Sequence, residues 1–188
     1  PDSVTTIGGY AFAGCSKLKT VTIGEGLTTF GDTAFYYCKA LKSIEVDKNN
    51  PNYKTIDGIL YSKDGKRLIR YPALKIKTLF DIPNGVEVIE DCAFRGSIYL
   101  NTINIPESVC EIDSGAFLGC TALKNIVLPN GLVEIEDSLF LGCESLESVN
   151  IPQNVVTIKD RAFSGCINLT NVVIPSSVME IEDNVFCN

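Results

Sequence analysis

Histidine is absent from the 188 residues of this chain. This absence excludes Ser-His-Asp and Cys-His nucleophile pairs, and it excludes zinc or haem held by histidine within the chain. We therefore predict no catalytic residue, no cofactor and no metal site. Chemistry based on carboxylates alone is the one enzymatic alternative that the composition leaves open.

Long apolar stretches and an excess of positive charge are also absent. Apolar clusters such as residues 126–128 fall far short of the roughly 18 residues that span a bilayer, so we expect no membrane insertion by this chain. The start of the chain lacks the charged and apolar regions of an export signal. The net charge of −7 argues against nucleic acid as a partner.

What the sequence does contain is a repeat. Phenylalanines recur 23 residues apart, except for one gap of 59 residues that accommodates a repeat lengthened by 13 residues. Leucine, isoleucine and valine positions keep the same register, and one repeat has the pattern L-x-x-I-x-I-P-x-x-V-x-x-I-x-x-x-A-F-x-G-C-x-x. Such periodicity indicates a solenoid in which matching side chains stack from coil to coil. The phenylalanine positions are Phe12, Phe35, Phe94, Phe117, Phe140, Phe163 and Phe186.

Each part of the repeat predicts a part of the coil. The I-x-I alternation indicates a short, half-buried strand, and the proline that follows ends it. The V-x-x-I pair faces inward on the next side of the coil. The A-F-x-G-C segment then turns the corner as one turn of helix or 3₁₀-helix, closed by glycine. With 45% hydrophobic residues, the chain has enough apolar side chains for a single domain over residues 1–188, built from about seven or eight coils.

This repeat resembles the BspA-like leucine-rich repeat family over essentially the whole chain, most clearly at residues 105–125 and 151–171. The segment Gly58-Ile-Leu-Tyr-Ser-Lys-Asp-Gly-Lys resembles a hairpin that these proteins carry. The resemblance implies a right-handed α/β-type solenoid of short parallel strands, in a secreted or cell-surface protein with a role in adhesion. It transfers no catalytic residue. Tyr37 departs from the glycine of the pattern, Ser97 from the cysteine, Leu139 from the alanine and Lys77 from the leucine.

In leucine-rich repeats the outward strand face is the usual ligand face, and here it is rich in Thr, Ser and Asn without aromatic side chains. This composition favours weak, polar or multivalent recognition, although an ordinary solvated sheet face explains any single residue as well. The candidate ligand face comprises Lys19, Thr20, Thr22, Lys42, Ser43, Glu45, Asn101, Thr102, Asn104, Lys124, Asn125, Val127, Glu147, Ser148, Asn150, Thr170, Asn171 and Val173.

Five cysteines occupy one column of the repeat. Parallel neighbours about 4.8 Å apart suit disulfide geometry poorly, and no C-x-x-C pair is present for zinc. We predict a buried column of reduced thiols at Cys15, Cys38, Cys120, Cys143 and Cys166. Cys92, Cys110 and Cys187 lie outside the column, and Cys110 or Cys187 is expected to be exposed.

Aspartate occupies another column, three residues before phenylalanine. A stacked column of carboxylates could bind calcium, but the spacing favours capping of the adjacent turn through backbone N–H groups. These residues are Asp32, Asp91, Asp137, Asp160 and Asp183.

The extra residues of the long repeat lie within residues 47–81. Asp64-Gly65 between two β-rich runs predicts a type I′ hairpin, with Tyr61 opposite Leu68 and Leu60 opposite Ile69. We favour a loop that decorates the flank of the coil over a specificity loop on the binding face.

The resemblance implies an extracellular adhesion or recognition module, and we expect it to bind a host or matrix protein or a glycan through the strand face, aided by the hairpin. The alternative is a structural spacer without a ligand of its own. Because both ends of the chain fall within a repeat, we expect it to be part of a longer protein.

Overall fold

The computed structural model describes residues 1–31 and 33–188, which form a β-solenoid of about eight coils. Within those residues there are sixteen short strands and no helix. The strands are β1 (Thr6–Ile7), β2 (Thr20–Ile23), β3 (Thr29–Phe30), β4 (Ser43–Val46), β5 (Tyr53–Ile56), β6 (Ile59–Ser62), β7 (Arg67–Arg70), β8 (Leu79–Asp81), β9 (Val88–Ile89), β10 (Thr102–Asn104), β11 (Glu111–Ile112), β12 (Asn125–Val127), β13 (Glu134–Ile135), β14 (Ser148–Asn150), β15 (Thr157–Ile158) and β16 (Glu180–Ile181).

One side of the coil carries the I-x-I strands, which pair in parallel. β8, β10, β12 and β14 form a four-stranded sheet, and β2 and β4 form a separate pair. Ile103 lies opposite Ile126, and Ile126 lies opposite Val149, so the repeat columns coincide with the hydrogen-bonded register. This register confirms the predicted stacking of matching residues.

The V-x-x-I segments form the second side. β1 pairs with β3, and β13, β15 and β16 form a parallel sheet. The third sheet on this side, in the order β11, β9, β7, β6, β5, includes the inserted residues. The inserted strands therefore extend the second side of the solenoid.

The corner that contains phenylalanine is a series of tight turns. The N–H groups of Ala116, Leu118 and Cys120 each donate to the carbonyl three residues earlier, at 2.9 to 3.2 Å. Gly115 and Gly119 have φ values of 61° and 69°, in the left-handed region that a right-handed helical turn does not include. Only the three residues between them are left for such a turn. The predicted helical or 3₁₀ turn and the α/β character are therefore not confirmed, and the right-handed sense of the coil stays a prediction.

Stacked aromatic rings run along the interior. The ring centroids of Phe117 and Phe140 are 5.4 Å apart with planes 8° from parallel, and Phe140 and Phe163 repeat this geometry at 5.4 Å and 12°. Tyr71 stacks on Phe94 at 5.2 Å and so occupies the phenylalanine position of the lengthened repeat. Tyr71 was not predicted, although it lies 23 residues before Phe94.

The inserted residues form a three-stranded meander that is buried rather than attached to the flank. Ile59, Tyr61 and Leu68 belong to one hydrophobic cluster, whereas Leu60 and Ile69 belong to the other. All five are at most 7% exposed. The preference for a decorating loop is therefore wrong, because β6 and β7 bury both of their faces between the two parts of the core.

The turns of the meander also differ from the prediction. Tyr61 lies opposite Leu68 as predicted, but a bulge places Leu60 opposite Arg70 instead of Ile69. Asp64 does not have the positive φ that a type I′ turn requires. The two-residue turn with positive φ at both positions is instead Asp57-Gly58, at 52° and 72°, between β5 and β6.

Candidate functional site

The predicted ligand face lies on the outward side of the I-x-I strands. Its eighteen predicted residues are exposed, except for Ser43, which is half-buried. Strand pairing places Thr102 beside Asn125, and Asn125 beside Ser148. The face therefore presents similar side chains in rows that run from coil to coil.

Hydrogen bonds between neighbouring coils connect some of these side chains. Asn104 Nδ2 donates to Asp81 Oδ1 at 2.6 Å, and Ser148 Oγ donates to Asn125 Oδ1 at 2.8 Å. Asn150 is bound to the backbone of Leu128, accepting from its N–H at 2.8 Å and donating to its carbonyl at 3.3 Å. These residues thus contribute to the structure as well as to the surface.

The face is not one continuous sheet. Lys19, Lys42 and their neighbours belong with the pair β2–β4, whereas the candidate residues from 101 to 150 belong with the four-stranded sheet. Asn171 in the following coil joins that sheet only through a single bridge to Ser148. The insertion separates the two: the Gly58 carbonyl accepts the N–H of Ile44, and Thr55 Oγ1 donates to the Ile44 carbonyl at 2.6 Å. The candidate ligand face, which was predicted as one set of residues, is therefore divided into two parts.

The tip of the β5–β6 hairpin fills this gap. Ile56 is 48% exposed there, and the Asp57 carboxylate pairs with Lys75 at 3.1 Å and Lys77 at 2.7 Å. Hydrogen bonds from these two lysines lower the pKa of Asp57. Lys77, which replaces the leucine of the repeat, thus anchors the hairpin tip beside the strand face.

Exposed apolar side chains border a shallow groove on the four-stranded part of the face. Val127 is 69% exposed, and it borders a groove of about 190 Å³ lined by residues of β10 and β12, including Thr102 and Asn125. The groove is open to solvent and holds no converging charged groups. Such a surface suits contact with a partner along several coils better than capture of one small molecule.

The cysteine column is largely as predicted. All eight cysteines are free, and Cys38, Cys120, Cys143 and Cys166 are buried, whereas Cys15 is exposed because it lies in an outer coil. Each buried thiol donates to the carbonyl of the phenylalanine one coil earlier, for example Cys143 Sγ to Phe117 O at 3.2 Å. Burial raises the pKa of Cys120 and of Cys166 to about 12, so these thiols stay protonated. Outside the column, Cys110 and Cys187 are exposed and Cys92 is half-buried.

The aspartate column does not act as predicted at Asp137 and Asp160. The Asp137 carboxylate accepts from Ser138 Oγ at 3.3 Å, and that of Asp160 accepts from the Asn184 amide at 3.4 Å, rather than from backbone N–H groups. Their main-chain carbonyls instead accept N–H groups of the preceding coil. The column was predicted to include Asp32, which lies outside the described residues.

Acidic side chains cluster near β9 and β11 without forming a metal site. Burial, followed by repulsion from Glu111, Glu90 and Asp91, raises the pKa of Asp113 to about 7. In residues 1–31 and 33–188, no group of three or more His, Cys, Asp or Glu side chains is arranged to hold a metal ion. The same residues contain no helical segment that could span a bilayer.

Comparison with protein families identifies the repeat. A family model described as BspA type leucine-rich repeat region matches residues 1–63 and 73–188, in six copies. The unmatched residues 64–72 lie in the insertion and include Arg70 and Tyr71. No curated protein matches the chain.

Several solved structures are similar to this one. A leucine-rich cell surface protein from Faecalibacterium prausnitzii A2-165 is 38% identical, with a TM-score of 0.89 over 97% of this chain and 52% of that chain. A leucine-rich repeat protein from Eubacterium ventriosum is 27% identical, with a TM-score of 0.82 over 100% and 63% of the two chains. The pneumococcal vaccine antigen PcpA is 26% identical, with a TM-score of 0.82 over 90% and 44%. The present chain thus spans 44% to 63% of the length of these proteins.

Proposed function

The chain belongs to the BspA-type leucine-rich repeat family, and we propose that it is a non-catalytic recognition module of a bacterial cell-surface protein. Its partner would be a host or matrix protein or a glycan, bound through the strand face. The surface location is supported by the similar structures, one of which is described as a cell surface protein and another as a vaccine antigen.

The observation that carries this proposal is the regular presentation of exposed polar side chains on parallel strands. Thr102, Asn125 and Ser148 occupy equivalent positions on adjacent strands, so a partner with repeated groups could contact several coils at once. Each contact would be weak, because polar side chains without aromatic anchors contribute little binding energy alone. Several contacts made together would give useful affinity.

The hairpin tip gives this surface a feature that a plain repeat would lack. Ile56 and Asp57 protrude between the two sheets of the face, and Lys75 and Lys77 hold Asp57 in place. A fixed charge beside an exposed apolar residue is a suitable centre for a specific contact. We therefore place the specificity element of the proposed site at this tip.

The test is a binding screen against matrix proteins and glycan arrays with two matched variants. One variant carries Lys19→Glu, Lys42→Glu and Lys124→Glu on the strand face. The control carries Lys17→Glu, Lys48→Glu and Lys63→Glu, three exposed lysines outside the face, so that both variants change net charge equally. The proposal is supported if the strand-face variant loses at least ten times more affinity than the control variant does.

Two results contradict it. Equal binding by both variants would move the site away from the strand face. Failure of the unmodified chain to bind any target would favour a spacer, an alternative already suggested by the hydrogen bonds that join Asn104 to Asp81 and Ser148 to Asn125 within the face.

A further inference from the structure

A second recessed site lies on the turn side of the solenoid, away from the strand face. It is a pocket of about 380 Å³ between the coils of Phe35 and Phe117. Its principal lining residues are Tyr37, Lys39, Arg70, Arg95, Ile98 and Leu118.

The pocket forms where the regular bonding between coils is interrupted. Elsewhere the glycine N–H of one corner donates to the next coil, as Gly96 does to Leu118 O at 2.8 Å. The lengthened repeat replaces A-F-x-G-C by Arg70-Tyr-Pro-Ala-Leu, and Leu74 takes the place of the cysteine. Without that thiol, the Phe35 carbonyl accepts from Arg70 Nη2 at 3.4 Å.

Arg70 is a buried cation without a carboxylate partner among the described residues. Its side chain is 3% exposed, and its hydrogen bonds are to the carbonyls of Cys92 and Phe35. Nε has no partner in the part of the chain that the structure describes. Burial lowers the pKa of Arg70 to about 10, so the guanidinium is still charged at neutral pH. A buried charge paired only with neutral carbonyls is poorly compensated.

Arg95 supplies a second, preoriented guanidinium. It is 9% exposed and lies over the rings of Tyr36 and Tyr37, at 3.9 Å and 4.8 Å from their centroids. Cation–π contact with two rings whose planes are 88° apart restricts the position of the guanidinium, whose N–H groups can bind a planar acceptor. Lys39 lies 5.7 Å from the Tyr37 centroid at the rim.

The lining combines this positive charge with apolar walls. Three of its residues are cationic and none is acidic, in a chain whose net charge is −7. Ile98, Leu118 and Ala73 provide the apolar surface. Fully hydrated anions such as sulfate fit this lining poorly, because they would lose water against the apolar walls.

We propose that this pocket binds a small organic acid, with its carboxylate at Arg70 and Arg95 and a single apolar ring against Ile98 and Leu118. The volume lies near the lower end of the range for small-molecule sites, which suits one ring rather than a polymer. The carboxylate would compensate the charge of Arg70, which lines the pocket and has no carboxylate partner among the described residues. This activity is separate from the proposed recognition by the strand face.

The test compares benzoate with benzamide, which has nearly the same shape but no charge, and with sulfate, which has charge but no ring. Binding is measured by titration calorimetry and by tyrosine-region chemical shifts of the full chain. We expect saturable binding of benzoate at least tenfold tighter than that of benzamide or sulfate. Equal affinity for benzoate and benzamide, or no binding of benzoate at millimolar concentration, would overturn the proposal.

Two arginine variants locate the site. Arg95→Gln should weaken benzoate binding at least tenfold, whereas Arg161→Gln, which alters an exposed arginine in another coil, should leave it unchanged. Both variants should keep the melting temperature of the unmodified chain within a few degrees. Arg70 itself is left unchanged, because replacing this buried residue would disturb the fold of the corner. Unchanged benzoate affinity in Arg95→Gln would contradict the proposed site. The strand-face variant should bind benzoate with the affinity of the unmodified chain, because its substitutions lie outside the pocket.

Discussion

At the scale of single residues, most positions of the repeat are explained by what they touch in the neighbouring coils. Phe140 is fully buried and stacks on Phe117 and Phe163. Its backbone N–H donates to Ala162 O at 2.7 Å, so the ring and the main chain are held by the same neighbour. A change at such a residue removes contacts with two coils at once.

We predict that Phe140→Ala lowers the free energy of unfolding by about 3–5 kcal/mol, because it removes a buried ring and leaves a cavity between two others. Urea denaturation followed by circular dichroism measures the change. Val127→Ala is the control: this side chain is 69% exposed, and its truncation should change stability by less than about 0.5 kcal/mol. Similar denaturation midpoints for the two variants would argue against a stacked phenylalanine column.

At the scale of elements, the insertion shows how a repeat can be lengthened without breaking the solenoid. β7 pairs in parallel with β9 and so takes the place of a V-x-x-I strand, while β5 and β6 add to its other edge. The turn at Asp57-Gly58 reaches the other side of the coil, where Gly58 lies against Ser43 on β4. The same element therefore contributes to the core, to the strand face and, through Arg70, to the turn-side pocket.

We predict that Gly58→Ala destabilises the fold by about 2–4 kcal/mol, from unfavourable positive φ together with steric overlap. Its φ is 72°, and a Cβ there would overlap the Ser43 hydroxyl and lie 3.1 Å from Ser43 Cβ. Gly85→Ala separates the two effects, since Gly85 has a φ of 93° but no atom within 4 Å of the added Cβ. The control substitution should lower the free energy of unfolding by only about 1 kcal/mol. Equal losses of stability in the two variants would show that the close approach of Gly58 to β4 is unimportant.

At the scale of the whole molecule, stability depends on each coil having neighbours on both sides. Ile135 and Ile158 are fully buried, whereas the equivalent Ile181 in the last coil of this chain is 48% exposed. The insertion divides the interior into two clusters, but β6 and β7 contact both of them. Opening is therefore expected to begin in the outer coils and proceed inward.

We predict that amide hydrogen exchange in the 188-residue chain is at least tenfold slower at Ile135 and Phe117 than at Ile7 and Ile181. The middle coils exchange only when their neighbours open, while the outer coils open alone. Exchange measured by NMR at neutral pH provides the comparison. Equal protection along the chain would indicate that the solenoid unfolds as one unit.

Repetition made much of this architecture predictable. A side chain that recurs every 23 residues can be buried only if the coils superimpose, so the columns of Phe, Leu and Cys implied the register that Ile103, Ile126 and Val149 show. The exposed strand positions followed from the same alternation. The functional use of those positions stays a prediction, because regular spacing places side chains without naming what they bind.

The tertiary structure decided what happens where the pattern fails. Asp57-Gly58 forms the two-residue turn with positive φ at both positions, beside Ser43 of β4, whereas Asp64-Gly65 lies within the four residues, 63–66, that join β6 to β7. Tyr71 keeps the repeat spacing and joins the aromatic stack at a phenylalanine position, whereas Arg70 lines the pocket at a corner that lacks the usual glycine and cysteine. The environment of a residue that recurs in every repeat is set by equivalent residues in the neighbouring coils, so the sequence predicts it. The environment of a residue that occurs once depends on different residues in the surrounding coils, which only the tertiary structure brings together.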